Sequence, residues 1–145
     1  MSSSSGWRCL REPRFVALPA KHRLAAREWL SFADLRGESF ITNPLVDDGA
    51  VGPPARWLAE QHSHGLTGRV ATEAASLPEI LTLVAGGRGV CLVPATVARQ
   101  HARADVRYVE VRDADPAVVS LVWSRAGLRP AVEAFIQTAR EVAAS

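Results

Sequence analysis

The sequence predicts an α/β domain with a small parallel or mixed sheet flanked by helices, and three observations carry the prediction. Val90-Cys91-Leu92-Val93 is a continuous apolar run stopped by Pro94, the pattern of a strand covered on both faces of a parallel sheet. Leu77, Ile80, Leu81, Val84 and Ala85 recur at helical spacing just before it. Between Phe40 and Pro94, strand and helix signals alternate, which calls for right-handed crossovers and helices packed on the sheet.

The elements follow in chain order. Residues 1–9 open with a serine run, which reads as a solvated, disordered tail. Arg14 to Pro19 has the apolar and β-branched content of a short strand, ended by a proline that lacks a donor. Leu24 to Trp29 is expected to form a turn of helix. Ser31 to Gly37 suggests a short capped helix, with Ser31 bonding the backbone of Asp34 and Gly37 as a left-handed exit. Ser39 to Thr42 is strand-like. A loop from Asn43 to Pro54 and a helix from Ala55 to Gly65 come next, then a strand from Gly68 to Ala74. The helix Leu77 to Ala85 opens with the capping box Ser76-Leu77-Pro78-Glu79 and closes in Gly86-Gly87-Arg88-Gly89. Beyond Pro94, Ala95 to His101 reads as a short helix, Val106 to Val111 as a half-buried strand and Val118 to Trp123 as an apolar strand. The last helix, from Pro130 to about Val142, stacks Val132, Phe135, Ile136, Ala139 and Val142 on one stripe.

Composition narrows the function classes. A chain of 145 residues suits one compact domain, and 17 basic against 15 acidic residues, without long blocks of either sign, give no footprint for a polyanion. Cys9 and Cys91 have neither metal-ligand nor disulfide spacing, so a reducing compartment is expected. No secretory signal or membrane-length apolar stretch occurs, which makes the cytoplasm the expected location.

Catalytic and metal chemistry find little support. Gly86 to Gly89 follows a helix and feeds a strand, the reverse of a phosphate-cradling loop. His62 and His64 point apart on a helix and lack a partner at ligand spacing, while His22 and His101 are isolated. Asp47 and Asp48 suit a solvated loop, and Cys91 an inert core thiol. Neither a metal nor a cofactor is expected, and no nucleophile or acid-base constellation converges. Binding geometry remains. In an open α/β sheet, ligands dock at the carboxyl ends of the strands, here Thr42, Asn43 and Pro44, then Ser76, then Pro94 and Thr96. Ser76 and Thr96 also serve as helix caps, and a cap leaves other N–H groups at a helix start available to an anion.

Three stretches resemble one family. Leu10 through Ala25, with Leu18-Pro19-Ala20-Lys21-His22-Arg23-Leu24-Ala25, is similar to the crossover segment of LysR-type transcriptional regulators. Leu35 through Ile41 resembles the start of their second lobe, and Glu79 through Pro94 their effector-domain motif. The resemblance implies a periplasmic-binding-protein-like fold of two α/β lobes holding a small effector between them. It implies a truncated C-terminal effector-binding domain spanning residues 10–145, with about 20–117 as the second lobe and 118–145 returning to an incomplete first lobe. In that family DNA is held by an N-terminal helix-turn-helix, which these residues lack, and the whole regulator is a homo-oligomer. The expected partner of this chain is therefore a small-molecule effector, of anionic or carboxylate character, with no enzymatic activity and no membrane. A solute-binding α/β protein is the alternative, and a small α/β enzyme a further one, because a shared fold does not fix function.

Overall fold

The computed structural model describes residues 4–42, 69–126 and 128–144. They fall into two compact units, Pro13–Asp115 and the pair of segments Met1–Glu12 and Pro116–Ser145. The predicted loop from Asn43 to Pro54 and helix from Ala55 to Gly65 lie outside the described residues.

The larger unit is built on β2 (Arg14–Pro19), β3 (Trp29–Leu30), β4 (Ser39–Thr42), β5 (Arg69–Glu73), β6 (Cys91–Pro94) and β7 (Val106–Val111). β2 lies between β6 and β7, antiparallel to both, and β3 joins the far side of β7 in parallel. β4 and β5 pair in parallel, with Thr42 opposite Glu73. A parallel bridge between Phe40 and Val90 joins the two sets, closed by Ile41 N–H to the Val90 carbonyl (2.9 Å) and Val90 N–H to the Ser39 carbonyl (2.8 Å). The sheet is therefore mixed. The apolar run ending at Pro94 is parallel only at Val90 and antiparallel over Cys91–Pro94, because an unbroken apolar run reports burial and not strand direction.

Alternation along β2 sends Val16 and Leu18 to one face and Ala17 to the other. Val16 and Leu18 pack with Leu30, Phe32, Phe40, Val109 and Val111, whereas Ala17 packs with Ile41, Ile80, Leu81, Val84 and Val106. Burying each large side chain contributes roughly 1.5–3 kcal/mol, so both faces stabilise the lobe.

Helix α1 (Leu77–Ala85) supplies the second face and has the predicted bounds. It stops in a Schellman turn: Arg88 N–H donates to the Leu83 carbonyl and Gly87 N–H to the Val84 carbonyl, each at 3.0 Å, with Gly87 at φ 75°. Gly89 has a different duty. A Cβ there would stand 2.9 Å from the Ser39 carbonyl oxygen, so the missing side chain lets the chain cross β4 closely. α2 (Ala95–Gln100) follows β6 directly.

Three local expectations change. Residues 23–26 turn without forming a helix, and Trp29–Leu30 is strand. The capped segment is a 3₁₀ turn, Phe32–Leu35, closed by a capping box in which Asp34 also answers Ser31: Ser31 N–H and Oγ donate to Asp34 Oδ2 at 2.9 and 3.3 Å. Phe32 N–H is taken by Asp113 Oδ1 at 2.7 Å. His22 is not isolated. Its Nε2 lies 2.9 Å from Glu38 Oε1, and its Nδ1 accepts from Leu24 N–H at 3.1 Å, which fixes the turn in the Leu-Pro-x-x-His-x-Leu-Ala stretch.

The smaller unit comprises β1 (Ser4–Glu12), β8 (Ala117–Ser124) and α3 (Pro130–Ala143). β1 and β8 pair antiparallel from Ser4 opposite Ser124 to Glu12 opposite Ala117. The serine-rich start, expected as a disordered tail, thus enters a strand at Ser4; its ordering comes from a partner more than a hundred residues away, which local composition does not reveal. The Arg140 guanidinium sits 5.7 Å from the centre of the Trp7 ring.

Candidate functional site

The parallel strands β4 and β5, and the chain leaving Val90 into β6, run the same way, so their carboxyl ends share one edge of the sheet. Thr42 ends β4, Ser76 caps α1 just after β5, and Pro94 ends β6 as the cap of α2. Four of the six predicted residues thereby belong to this edge; Asn43 and Pro44 lie outside the described residues. Thr96 is in the first turn of α2, where its Oγ1 accepts from Arg99 Nη2 at 3.3 Å.

The start of α1 differs from the expected anion site. Ser76 Oγ accepts from Glu79 N–H at 3.4 Å, and Ile80 N–H bonds the Ser76 carbonyl at 3.0 Å. The Glu79 carboxylate reaches back one residue further than a capping box places it, accepting from Ala75 N–H at 2.9 Å. Pro78 has no N–H to give. The positive end of the helix therefore already faces a carboxylate of its own chain, and among the described residues Ser76 N–H and Leu77 N–H, with the Ser76 hydroxyl, stand at the helix start toward a ligand. Sequence reasoning counted Glu79 as a cap and missed that it also competes for the anion's place. The Glu at the third helical position was the signal.

The shifted acidities of Arg103, Asp105 and Tyr108 lie where β7 begins, at the end of the sheet opposite Pro94, since β7 starts beside Pro19 while Pro94 pairs with Arg14. There Arg103 and Asp105 bond in a fork, Nε to Oδ1 and Nη2 to Oδ2, both at 2.9 Å. The bond holds the Asp105 carboxyl below its usual range and raises Arg103. Burial raises the Tyr108 hydroxyl, against a smaller lowering by Arg103.

Cys91 is half-buried rather than enclosed, its Sγ 3.5 Å from the Leu92 carbonyl oxygen. Among the described residues, no three His, Cys, Asp or Glu side chains gather to hold a metal, and no helix is long and apolar enough to cross a membrane.

Residues 4–144 match the LysR substrate binding domain. The chain is 38% identical over 114 residues to the HTH-type transcriptional regulator CatR of Pseudomonas putida, a match covering 79% of this chain and 38% of that protein. It is 29% identical over 136 residues to HcaR, the Hca operon transcriptional activator of Escherichia coli K12, covering 92% of this chain and 45% of the relative. Its fold superposes with a TM-score of 0.76 on the BenM effector binding domain with its effector benzoate, at 21% identity, covering 97% of this chain and 64% of that one. The chain spans less than half the length of both curated relatives.

Proposed function

The chain belongs to the LysR substrate-binding domain family, and we propose that it senses a small carboxylate at the carboxyl edge of β4, β5 and β6 on behalf of a transcriptional regulator. Both curated relatives are transcriptional regulators rather than enzymes. The observation that carries the choice of site is the shared edge, where β5 and β6 run on into the starts of α1 and α2 beside the end of β4. Thr42, with Asn43 and Pro44 after it in sequence, would contact the effector from β4, and Ser76 with Leu77 N–H from α1. Pro94 and Thr96 would close the side toward α2.

A carboxylate suits this edge because its charge meets the positive end of α1 and its oxygens accept from hydroxyl and N–H donors. Benzoate, the effector of BenM, belongs to the same chemical class. Glu79 sets a threshold: an arriving anion must lie beside its carboxylate or displace it from Ala75 N–H. In the full regulator, DNA would be held by a part of the protein outside these residues, in a homo-oligomer, in the cytoplasm.

The test replaces the matched segment of the BenM effector-binding domain with residues 4–144 and measures benzoate binding by calorimetry. Thr42→Val and Ser76→Ala are each expected to weaken binding about three- to tenfold, the loss of one hydrogen bond of about 1 kcal/mol. Glu79→Gln should tighten it by removing a like charge. Arg88→Gln, at the far end of α1, is the control. Unchanged affinity in both Thr42→Val and Ser76→Ala, with loss in Arg88→Gln, would remove this edge as the sensing surface.

A further inference from the structure

We propose that the cavity between the 20–26 turn and the start of β7 is a second binding site, for a small molecule that carries a phosphate dianion. Two cations line it, and they come from distant parts of the chain. Strand alternation sends Val106 and Tyr108 to the α1 face of the sheet and Arg107 to the other, the face of Leu18 and Val109. Arg107 lies opposite Leu18 of β2, at the end of the sheet where the chain leaves Pro19. Leu24 is buried in the same cluster as Leu18, which brings the turn back onto that face. Lys21 and Arg107 then share one open cavity of about 380 Å³, a size within the roughly 300–1,000 Å³ of small-ligand sites.

The turn keeps its shape through bonds that use neither cation. On the two sides of Lys21, Ala20 N–H donates to the Asp105 carbonyl at 3.0 Å and His22 N–H to the Pro19 carbonyl at 2.9 Å. The His22 ring, fixed between Leu24 N–H and Glu38, is a wall of the cavity. Ala20, Ala25 and Ala26 complete the lining, and methyl groups are too short to fill the space between the two cations.

No carboxylate is among the lining residues. The acidic groups around the turn are answered elsewhere: Glu38 by His22 at 2.9 Å and Arg23 Nη2 at 3.5 Å, Asp34 by Arg27 at 3.8 Å, and Asp105 by its fork with Arg103. Glu28 is exposed and outside the lining. Among the described residues, neither Lys21 nor Arg107 has an ion pair. Two such cations around a methyl floor select the ligand class. A phosphate dianion answers both, its oxygens accepting in parallel from the planar guanidinium while the ammonium supplies a point charge. A monocarboxylate leaves one cation unanswered, which separates this site from the carboxyl edge at the other end of the sheet. Both side chains are exposed, so added salt weakens the attraction.

The experiment titrates the isotope-labelled 145-residue chain with inorganic phosphate and with glycerol 3-phosphate, at constant ionic strength and about pH 8, where a phosphate monoester is dianionic. Backbone amides are followed by NMR. Saturable shifts are expected at Lys21, His22, Ala26 and Arg107 with both ligands, and acetate or glycerol should bind there at least about fivefold more weakly. Lys21→Gln and Arg107→Gln should each weaken binding about three- to tenfold, and the double variant should lose saturation. Because both side chains are exposed, these variants leave the core intact. Arg88→Gln, beyond the end of α1, should bind as the parent does. The proposal is overturned by no saturable shifts at the turn, by shifts confined to Ser76 and Leu77, by acetate binding as tightly as phosphate, or by equal binding in the parent and the double variant. It is overturned as well if a short DNA duplex shifts the same amides more strongly than phosphate does, since the cations would then serve a nucleic-acid backbone.

Discussion

In the larger unit, the central strand β2 divides Val16, Leu18 and Ala17 between two faces, and each face meets a cluster of buried side chains. In the smaller unit, β1, β8 and α3 form just as regularly, yet Ile136 is the one buried apolar residue among those described. Phe135 is 63% exposed, Val122 64% and Val142 69%. Both units obey the local rules for strands and helices, and only one of them encloses a core. Periodicity specifies which stripe of α3 is apolar; it does not supply what covers that stripe. Regular secondary structure and buried area are separate achievements, and stability follows the second.

The largest test of this contrast pairs two phenylalanines. Phe40, 2% exposed on β4, should cost about 3–5 kcal/mol when changed to Ala, because a full aromatic volume leaves a packed cluster. Phe135→Ala on α3 should change stability by no more than about 0.5 kcal/mol. Urea unfolding followed by circular dichroism reads both, and equal losses would break the contrast.

Next in size is Gly89→Ala. Its Cβ would press on the Ser39 backbone oxygen, which cannot move without disturbing the β4 bridge, so a loss of about 1–3 kcal/mol is expected in the same assay. Asp113→Ala removes the acceptor of Phe32 N–H at the 3₁₀ turn and should cost about 1 kcal/mol, with faster amide exchange at Phe32.

The smallest effect concerns acid. Asp105 is held ionised by its bond to Arg103, so its folded pKa lies below the unfolded value. Its contribution is present above the unfolded pKa and is lost as pH falls through the folded one. A carboxyl NMR titration should show the midpoint of Asp105 below the usual carboxylate range, and Arg103→Gln should move it upward. An unchanged midpoint would remove the ion pair as the cause.

Where a boundary is set by local chemistry, the sequence was a good guide. Ser76, Glu79 and Gly87 bracket α1 at its observed ends, and Pro19 ends β2 where a missing N–H stops pairing. Where a feature depends on distant partners, the sequence was silent. β1 is ordered by β8, the direction of β6 is set by β2, and the Arg112 guanidinium 4.7 Å from the centre of the Trp29 ring joins residues more than eighty apart. Thr42, Ser76 and Pro94 were legible one by one as strand ends or caps, whereas their sharing of one edge follows from the pairing of β4 with β5 and the bridge at Val90. The return of Glu79 to Ala75 N–H depends on a side-chain position that spacing alone does not determine.

Residue-resolved amide hydrogen exchange on the whole chain tests the contrast between a closed core and exposed regular structure most directly. Val16, Ala17 and Leu18, buried on both sides, should exchange at least about a thousandfold more slowly than the amides of Phe135 to Val142, a gap of about 4 kcal/mol in opening free energy. Equal protection of β2 and α3 would contradict the account, since it would mean that the smaller unit is as firmly held as the lobe that encloses its core.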